Sequence, residues 1–166
     1  MAILKTNELD IISHSEKQSK RLGTRLGALL QPDDIICLSG EMGAGKTVFT
    51  TGIGEGWGTK VPVTSPTYAL VHQHSREKDK QKLHHLDCYR LDGIIDAESI
   101  GLDDILDGGG IVIFEWAERI EEILPEEHLW IDLRVVEATR RNFIFEGRGE
   151  RYTELIEKFK ESAFGV

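Results

Sequence analysis

The chain has 166 residues, with 20 Lys or Arg against 29 Asp or Glu, so its formal net charge is −9 and its pI is near 5.2. This length, with 40% hydrophobic and 30% charged residues and no long apolar run or signal segment, predicts one soluble cytoplasmic domain over residues 1–166. The acidic balance argues against direct electrostatic capture of DNA or RNA, which requires a basic face.

The first third of the chain predicts alternating strands and helices. Residues 9–12 predict a short strand, and Ser13 with Glu16 has the Ser-x-x-Glu spacing of a capping box that begins a helix. Leucines at helical spacing continue that helix until Pro32 stops it. The continuous apolar run 35–38 predicts a strand buried on both faces. A second helix follows a glycine-rich loop, and four glycines in its C-terminal half are expected to weaken and end it. Its inner side is predicted to carry Val48, Phe49, Ile53 and Trp57.

The rest of the chain predicts two hairpins around a further parallel strand. The elements are strands over 68–74 and 83–91, a weak helix over 96–106, an apolar strand over 111–114, strands over 129–136 and 141–146, and an amphipathic C-terminal helix. The charged connection 75–82 is too short for a parallel crossover, so the first two of these strands are expected to pair antiparallel. The order predicts an α/β fold whose mixed sheet has a parallel core, two antiparallel hairpins and helices on both faces.

One loop has the pattern of a phosphate-binding site. Residues 40–47, Gly-Glu-Met-Gly-Ala-Gly-Lys-Thr, fit GxxxxGK[ST] at every fixed position and lie between an apolar strand and a helix. The glycines let successive backbone N–H groups point at one anion, and the helix adds its positive end. Lys46 would meet the β- and γ-phosphates, and the Thr47 hydroxyl would bind Mg²⁺. The predicted nucleotide-binding residues here are Gly40, Glu41, Met42, Gly43, Ala44, Gly45, Lys46, Thr47 and Val48.

Two acidic residues are candidates for the metal side of this site. Glu115 directly follows the apolar strand 111–114, so its carboxylate is expected at the sheet edge, where it could hold a metal-bound water or orient the attacking water. The alternative is a solvated strand end. Asp87 is flanked by apolar residues, where a carboxylate is costly unless it is paired or near a metal; the alternative is a structural hydrogen bond. We therefore predict Lys46, Asp87 and Glu115 as catalytic residues and Thr47, Glu115 and Asp87 as metal ligands.

The histidines and cysteines indicate a functional site less clearly than the glycine-rich loop does. His72, His74, His84 and His85 fall on the first predicted hairpin. His84 and His85 point to opposite faces of a strand, and no Cys or carboxylate completes a tetrahedral set, so we expect exposed histidines and not a zinc site. Cys37 and Cys88 form no CxxC and lie in apolar stretches, which predicts buried, reduced thiols.

The motifs taken in order resemble the TsaE (YjeE) family of bacterial P-loop ATPases, from about residue 9 to residue 146. They are the loop 40–47, Thr64-Ser65-Pro66-Thr67-Tyr68, His85-Leu86-Asp87-Cys88-Tyr89-Arg90-Leu91 and Phe114-Glu115-Trp116. The resemblance implies a P-loop fold that binds ATP or ADP with Mg²⁺. It also implies a role in threonylcarbamoylation of adenosine-37 in tRNAs that read codons beginning with A. The implied partners are the TsaD and TsaB proteins, whose catalytic cycle ATP hydrolysis would drive or reset.

The resemblance also assigns residues. It implies phosphate binding by Lys46, magnesium binding by Thr47, a second metal-site acid at Glu115 and a functionally important aspartate at Asp87. Arg141 matches a position near the nucleotide. Three further positions are implied to sense the γ-phosphate or the partner, and they are Ser65, Thr67 and Trp116. Two positions depart from the family pattern, since Met42 stands where Leu is usual and Ala117 where Pro or Ser is common.

The combined prediction is an ATPase that is weak alone and stimulated by its protein partner. Its contact with tRNA is expected to be indirect, with no DNA or membrane partner. No arginine lies in an obvious finger position, although Arg90 and Arg119 each follow a candidate acid by a few residues. Two alternatives remain: a nucleotide-dependent switch that does not hydrolyse ATP, and a small-molecule kinase. A kinase usually has an arginine-rich lid, and the mixed-sign loop 76–80 is too short for one.

Overall fold

The computed structural model describes residues 6–64, 71–91 and 100–165. Its strands are β1 (Glu8–Ser13), β2 (Ile35–Ser39), β3 (Val71–Ser75), β4 (Lys82–Asp87), β5 (Ile111–Glu115), β6 (His128–Val135) and β7 (Arg141–Arg148). Its helices are α1 (Glu16–Gly27), α2 (Lys46–Trp57), α3 (Leu102–Asp107) and α4 (Glu150–Phe164), with 3₁₀ turns at Ala117–Arg119 and Glu121–Ile123. The predicted order of elements is confirmed within these ranges. Ser65, Thr67 and the first part of the predicted weak helix lie outside them.

All the described strands join one sheet in the order β1-β7-β6-β2-β5-β4-β3. The central strand β2 pairs parallel with β5 and β6, and β4 pairs parallel with β5. The hairpins β3–β4 and β6–β7 are antiparallel, as is the pair β1–β7. Every residue of β2 and β5 is buried, which agrees with their continuous apolar runs. The mixed sheet with a parallel core and two antiparallel hairpins is therefore confirmed.

The two faces of the sheet are covered unequally. Ile36 and Leu38 of β2 belong to a core that also takes buried side chains from α1, α2 and α4. The alternating residues Ile35 and Cys37 face a second core, which takes Leu102 from α3 and two residues of the 3₁₀ segment. Helices lie on both faces, as predicted, but in the described part of the chain the second face has only the six-residue α3 and short 3₁₀ turns.

Both thiols are free and buried, as expected. Cys37 and Cys88 lie in the second core and form no disulfide. Burial raises the pKa of Cys88 to about 12, so the thiol stays protonated and unreactive at neutral pH. In the described residues no helix is both long enough and apolar enough to span a membrane.

The capping box at the start of α1 lies two residues later than predicted. The N-cap is Ser15, whose hydroxyl accepts from Gln18 N at 3.0 Å, while Gln18 Oε1 accepts from His14 N at 2.6 Å. Ser13 is instead the last residue of β1, and its hydroxyl donates to Ser15 O at 2.9 Å. The prediction was wrong because Ser13 and Ser15 offer overlapping Ser-x-x-Glu/Gln patterns, and the strand continues through the first of them.

Two predicted strand boundaries also change. The strand predicted over 83–91 ends at Asp87, since Leu91 N bonds back to Cys88 O at 3.1 Å and turns the chain. The strand predicted over 141–146 continues to Arg148 because β7 pairs with β6 along its full length. Of the predicted weak helix, the described part forms α3 over Leu102–Asp107.

Glycines bring α1 and α2 into backbone contact. A Cβ on Gly23 would lie 3.0 Å from Ile53 N and nearer still to Phe49 O, and one on Gly52 would meet Lys20 O. The glycines of α2 were expected to weaken that helix and end it; the helix does end at Gly58, where φ is 104°, but it continues through the earlier glycines to Trp57. The close crossing of two helices explains why glycine occupies the contact face of each.

We expect Gly23→Ala to destabilise the protein. At an ordinary helix interior this change stabilises by about 0.5–1 kcal/mol because alanine has the better helix propensity. Here the added methyl overlaps the backbone of α2, and overpacking of this kind costs about 1–3 kcal/mol. Urea unfolding followed by circular dichroism measures the difference, and a Gly23→Ala variant at least as stable as wild type would contradict the close crossing.

Candidate functional site

The glycine-rich loop runs between the buried strand β2 and the start of α2. Gly40, Gly43 and Gly45 have φ values of 139°, 83° and 97°, a region that side chains with a Cβ rarely adopt. Gly40 has a second constraint, because a Cβ there would overlap Leu133 O of β6. These conformations curl the loop and end it at the first turn of α2, where the free N–H groups of a helix favour an anion.

Lys46, the first residue of α2, is buried and bonded to its own loop. Its ammonium donates to Gly40 O and, at 2.9 Å, to Glu41 O. The same Nζ lies 4.0 Å from the ring centroid of Trp116, a cation–π distance. Burial lowers the pKa of Lys46, and nearby carboxylates, Glu118 foremost, act in the opposite direction. The amine is thus stabilised by acceptors that an arriving phosphate would replace.

The two predicted acids lie side by side at the carboxyl ends of parallel strands. Asp87 of β4 and Glu115 of β5 are register partners, and both side chains point to the face that α2 covers. Glu115 is only 3% exposed, so a solvated strand end is excluded, and Thr47 Oγ1 lies 3.4 Å from its Oε1. Asp87 is half-buried and accepts from Tyr89 N at 3.0 Å. Glu115 is therefore the acid in contact with the loop threonine.

His85 was missed by the sequence analysis and is part of this group. It was expected to be exposed, but it is fully buried, and its Nε2 lies 2.6 Å from Glu115 Oε2. The signal was available: His85 stands two residues before Asp87, so on a strand both side chains share a face. The other hairpin histidines, His72, His74 and His84, are half-buried.

Trp116 closes one side of the site. It follows Glu115 with φ 57°, a left-handed conformation that turns the chain sharply at the end of β5. Its ring lies 4.8 Å from that of Tyr89, in addition to its contact with the Lys46 ammonium. The structure thus brings Trp116 to the site. Ser65 and Thr67, predicted as switch residues, lie outside the described part of the chain.

Arg141 reaches the loop from the start of β7. Its Nη2 donates to Gly43 O at 3.2 Å, and its Nη1 donates to Glu137 O at 2.8 Å. The guanidinium therefore ties the β6–β7 turn to the phosphate-binding loop. Of the remaining predicted loop residues, Met42 is 73% exposed and Val48 is half-buried.

The donor set fits a magnesium–phosphate group. A hydroxyl and carboxylate oxygens are the protein ligands that Mg²⁺ prefers, and Thr47 with Glu115 supplies both within one contact. The curled glycine loop presents the backbone as an anion cradle beside them, with the Lys46 charge at its end. The residues of the loop, together with Thr47 and Glu115, therefore fit both a Mg²⁺ ion and the phosphates of a nucleotide.

The parallel strand β2, the loop over 40–47 and a helix that starts at the loop lysine define the P-loop fold. The family model described as "Threonylcarbamoyl adenosine biosynthesis protein TsaE" matches residues 13–143. The chain therefore belongs to the TsaE family.

Individual relatives also support membership of the TsaE family. A Bacillus subtilis protein is 35% identical over 142 residues, covering 86% of this chain and 87% of the relative. A Streptomyces coelicolor protein is 42% identical over 138 residues, covering 80% and 93%. Both carry the name "tRNA threonylcarbamoyladenosine biosynthesis protein TsaE". The crystal structure of Bacillus subtilis YdiB superimposes with a TM-score of 0.78 at 30% identity and covers 97% of this chain and 98% of its own.

Proposed function

We propose that this protein binds Mg-ATP and hydrolyses it in the cytoplasm as a step in threonylcarbamoylation of adenosine-37 in tRNAs that read ANN codons. It acts with the TsaD–TsaB pair, whose catalytic cycle hydrolysis drives or resets. The names of the relatives support the pathway. The observation that carries the activity is the contact of Thr47 with the buried Glu115 at 3.4 Å, directly beside the Lys46 loop.

The phosphates bind to the loop backbone and to Lys46. On binding, the Lys46 ammonium exchanges Gly40 O and Glu41 O for phosphate oxygens, which carry more negative charge. Thr47 and Glu115 are the residues that would hold Mg²⁺; when bound, this ion neutralises the negative charge of the β- and γ-phosphates.

The two acids have separable roles in this proposal. Glu115 touches Thr47, so it serves the metal side. Asp87 is its register partner on the next strand and is half-buried, a position from which its carboxylate can orient the attacking water. Trp116 covers Lys46 and follows Glu115 directly, so a partner that contacts this ring acts on both.

The charge of the chain supports an indirect contact with tRNA. A net charge of −9 repels the phosphate backbone, whereas RNA-binding surfaces are basic. The RNA is therefore held by the partner subunits, and this protein supplies the nucleotide cycle.

Phosphate release from ATP, measured with and without the purified TsaD–TsaB pair, tests the proposal. We expect slow release by the protein alone and at least a ~10-fold increase with the pair, a threshold below the ~10²–10⁴-fold that one positioned catalytic group supplies. Equal release under both conditions would contradict the proposal.

Two companion assays separate the alternatives. A non-hydrolysable ATP analogue should not support repeated rounds of tRNA modification; if it does, the protein is a nucleotide-dependent switch. No phosphorylated metabolite should form when the protein and ATP are incubated with a small-molecule extract in the absence of the pair. Formation of one would identify a kinase.

A further inference from the structure

We infer that His85 is a positioning residue, which holds the Glu115 carboxylate in the one orientation that lets Oε1 serve Thr47 and the magnesium ion. The inference rests on the proposed function and deepens it, since it assigns a residue that supports the metal side of the same site. His85 itself lies behind the carboxylate and touches Thr47 only through it.

The two oxygens of Glu115 are divided between two neighbours. Oε2 lies 2.6 Å from His85 Nε2, a hydrogen-bond contact between two buried side chains. Oε1 faces Thr47 Oγ1 at 3.4 Å. A quarter turn of the carboxylate about its last bond would break both contacts together. The hydrogen bond to His85 therefore fixes the plane of the carboxylate and keeps one of its two equivalent oxygens facing the loop.

The sheet fixes the histidine that makes this bond. His85 is the register partner of Ile113, and Glu115 stands two residues further along β5 on the same face. His85 is 0% exposed and Glu115 3% exposed, so close packing holds the ring, and the carboxylate has no solvent to replace the hydrogen bond to it. Among the described residues, His85 Nδ1 has no hydrogen-bond partner. Within the described part of the chain, the ring is thus oriented by packing and by Glu115.

Asp87 provides the comparison. It is the register partner of Glu115, but it is half-buried and accepts its hydrogen bond from the backbone of Tyr89, two residues away. A carboxylate held by its own turn does not need a second side chain. Of these two acids, Glu115 is the one buried deeply enough to require a side-chain donor, and His85 is placed to provide it.

Loss of the hydrogen bond from His85 should lower the affinity of the site for Mg²⁺ more than it lowers the free energy of unfolding. Partners that orient metal-binding side chains are worth about 10–100-fold in metal affinity. If His85 served only to stabilise the fold, its replacement would lower the melting temperature. The magnesium dependence of nucleotide binding would then stay unchanged.

Two amide variants separate these roles. In His85→Gln the side-chain amide reaches the position of Nε2 and donates to Glu115, whereas in His85→Asn the amide ends near the position of Nδ1 and does not reach it. Calorimetry with ADP, in saturating Mg²⁺ and in EDTA, gives the gain in affinity due to the metal. We expect His85→Asn to lower this gain at least ~10-fold and His85→Gln to keep it within about threefold, with ADP affinity in EDTA unchanged in both.

The outcomes are distinct from failure of the proposed function. Wild-type protein that binds no ADP under either condition contradicts the nucleotide site itself. ADP binding whose metal-dependent gain is absent in wild type, equal in all three proteins, or reduced equally in both variants overturns the role of His85 and leaves nucleotide binding intact.

A measurement on wild type covers the case in which a variant does not fold. Nitrogen-15 correlation spectra of the histidine rings should place the His85 proton on Nε2, the atom that faces Glu115. Addition of Mg²⁺ to the ADP-bound protein should shift this resonance, whereas ADP in EDTA should leave it in place. A neutral ring with its proton on Nδ1, or a resonance that Mg²⁺ does not move, overturns the inference.

Discussion

Lys46→Ala should lower ATP affinity at least ~100-fold, equivalent to about 2.7 kcal/mol. The Lys46 ammonium is buried against the loop carbonyls and Trp116, where a charge pair at about 4 Å is worth several times its value in water. Alanine removes that charge and leaves Gly40 O and Glu41 O aimed at the phosphates. Calorimetric titration with ATP measures the loss.

The matched control for this variant is Lys60→Ala. Lys60 is an exposed lysine in the segment after α2, so its removal changes the net charge of the protein by the same amount. We expect its ATP affinity to stay within about twofold of wild type, as for a surface charge that solvent screens. If the two variants bind ATP equally well, the loop does not hold the phosphates.

Glu115→Gln should keep nucleotide binding in the absence of metal and lose partner-stimulated hydrolysis by about 10²–10⁴-fold, because the carboxylate that holds Mg²⁺ supports the several kcal/mol by which the ion stabilises the transition state. Glutamine has the size of glutamate, so His85 keeps an acceptor and no cavity forms in a site that is only 3% exposed. The negative charge beside Thr47 is lost. Phosphate release in the presence of the TsaD–TsaB pair measures the effect, and ADP affinity in EDTA should stay within about threefold.

Glu122→Gln provides the comparison, because Glu122 is an exposed acid on the 3₁₀ turn Glu121–Ile123 that follows β5. It should hydrolyse ATP at the wild-type rate. Full partner-stimulated turnover by Glu115→Gln would remove Glu115 from the mechanism, whatever its affinity for nucleotide.

Much of the site could be predicted because its signals are local. The loop over 40–47 is a continuous pattern, and Glu115 could be placed at the sheet edge because four apolar residues precede it. The parallel register of β4 and β5, which brings Asp87 beside Glu115, follows once both strands are recognised. Their assigned roles stay predictions until the variants are measured.

The rest depends on contacts between distant parts of the chain. His85 reads as a hairpin histidine until β4 is placed against β5, since its partner lies 30 residues away. Arg141 was predicted near the nucleotide only through the family resemblance, since it meets Gly43 across 98 residues. The capping box was misplaced for a different reason: two serines compete for the same role, and the end of β1 decides between them.

The glycine contact between α1 and α2 has a mechanical consequence. Backbone meets backbone at Gly23 and Gly52, so no flexible side chain lies between the helices to absorb a displacement. The N-terminus of α2 carries Lys46 and Thr47, and Arg25 of α1 donates to Ser162 O of α4 at 2.6 Å. A displacement of α1 is therefore passed directly to the backbone of α2, whose first two residues are Lys46 and Thr47.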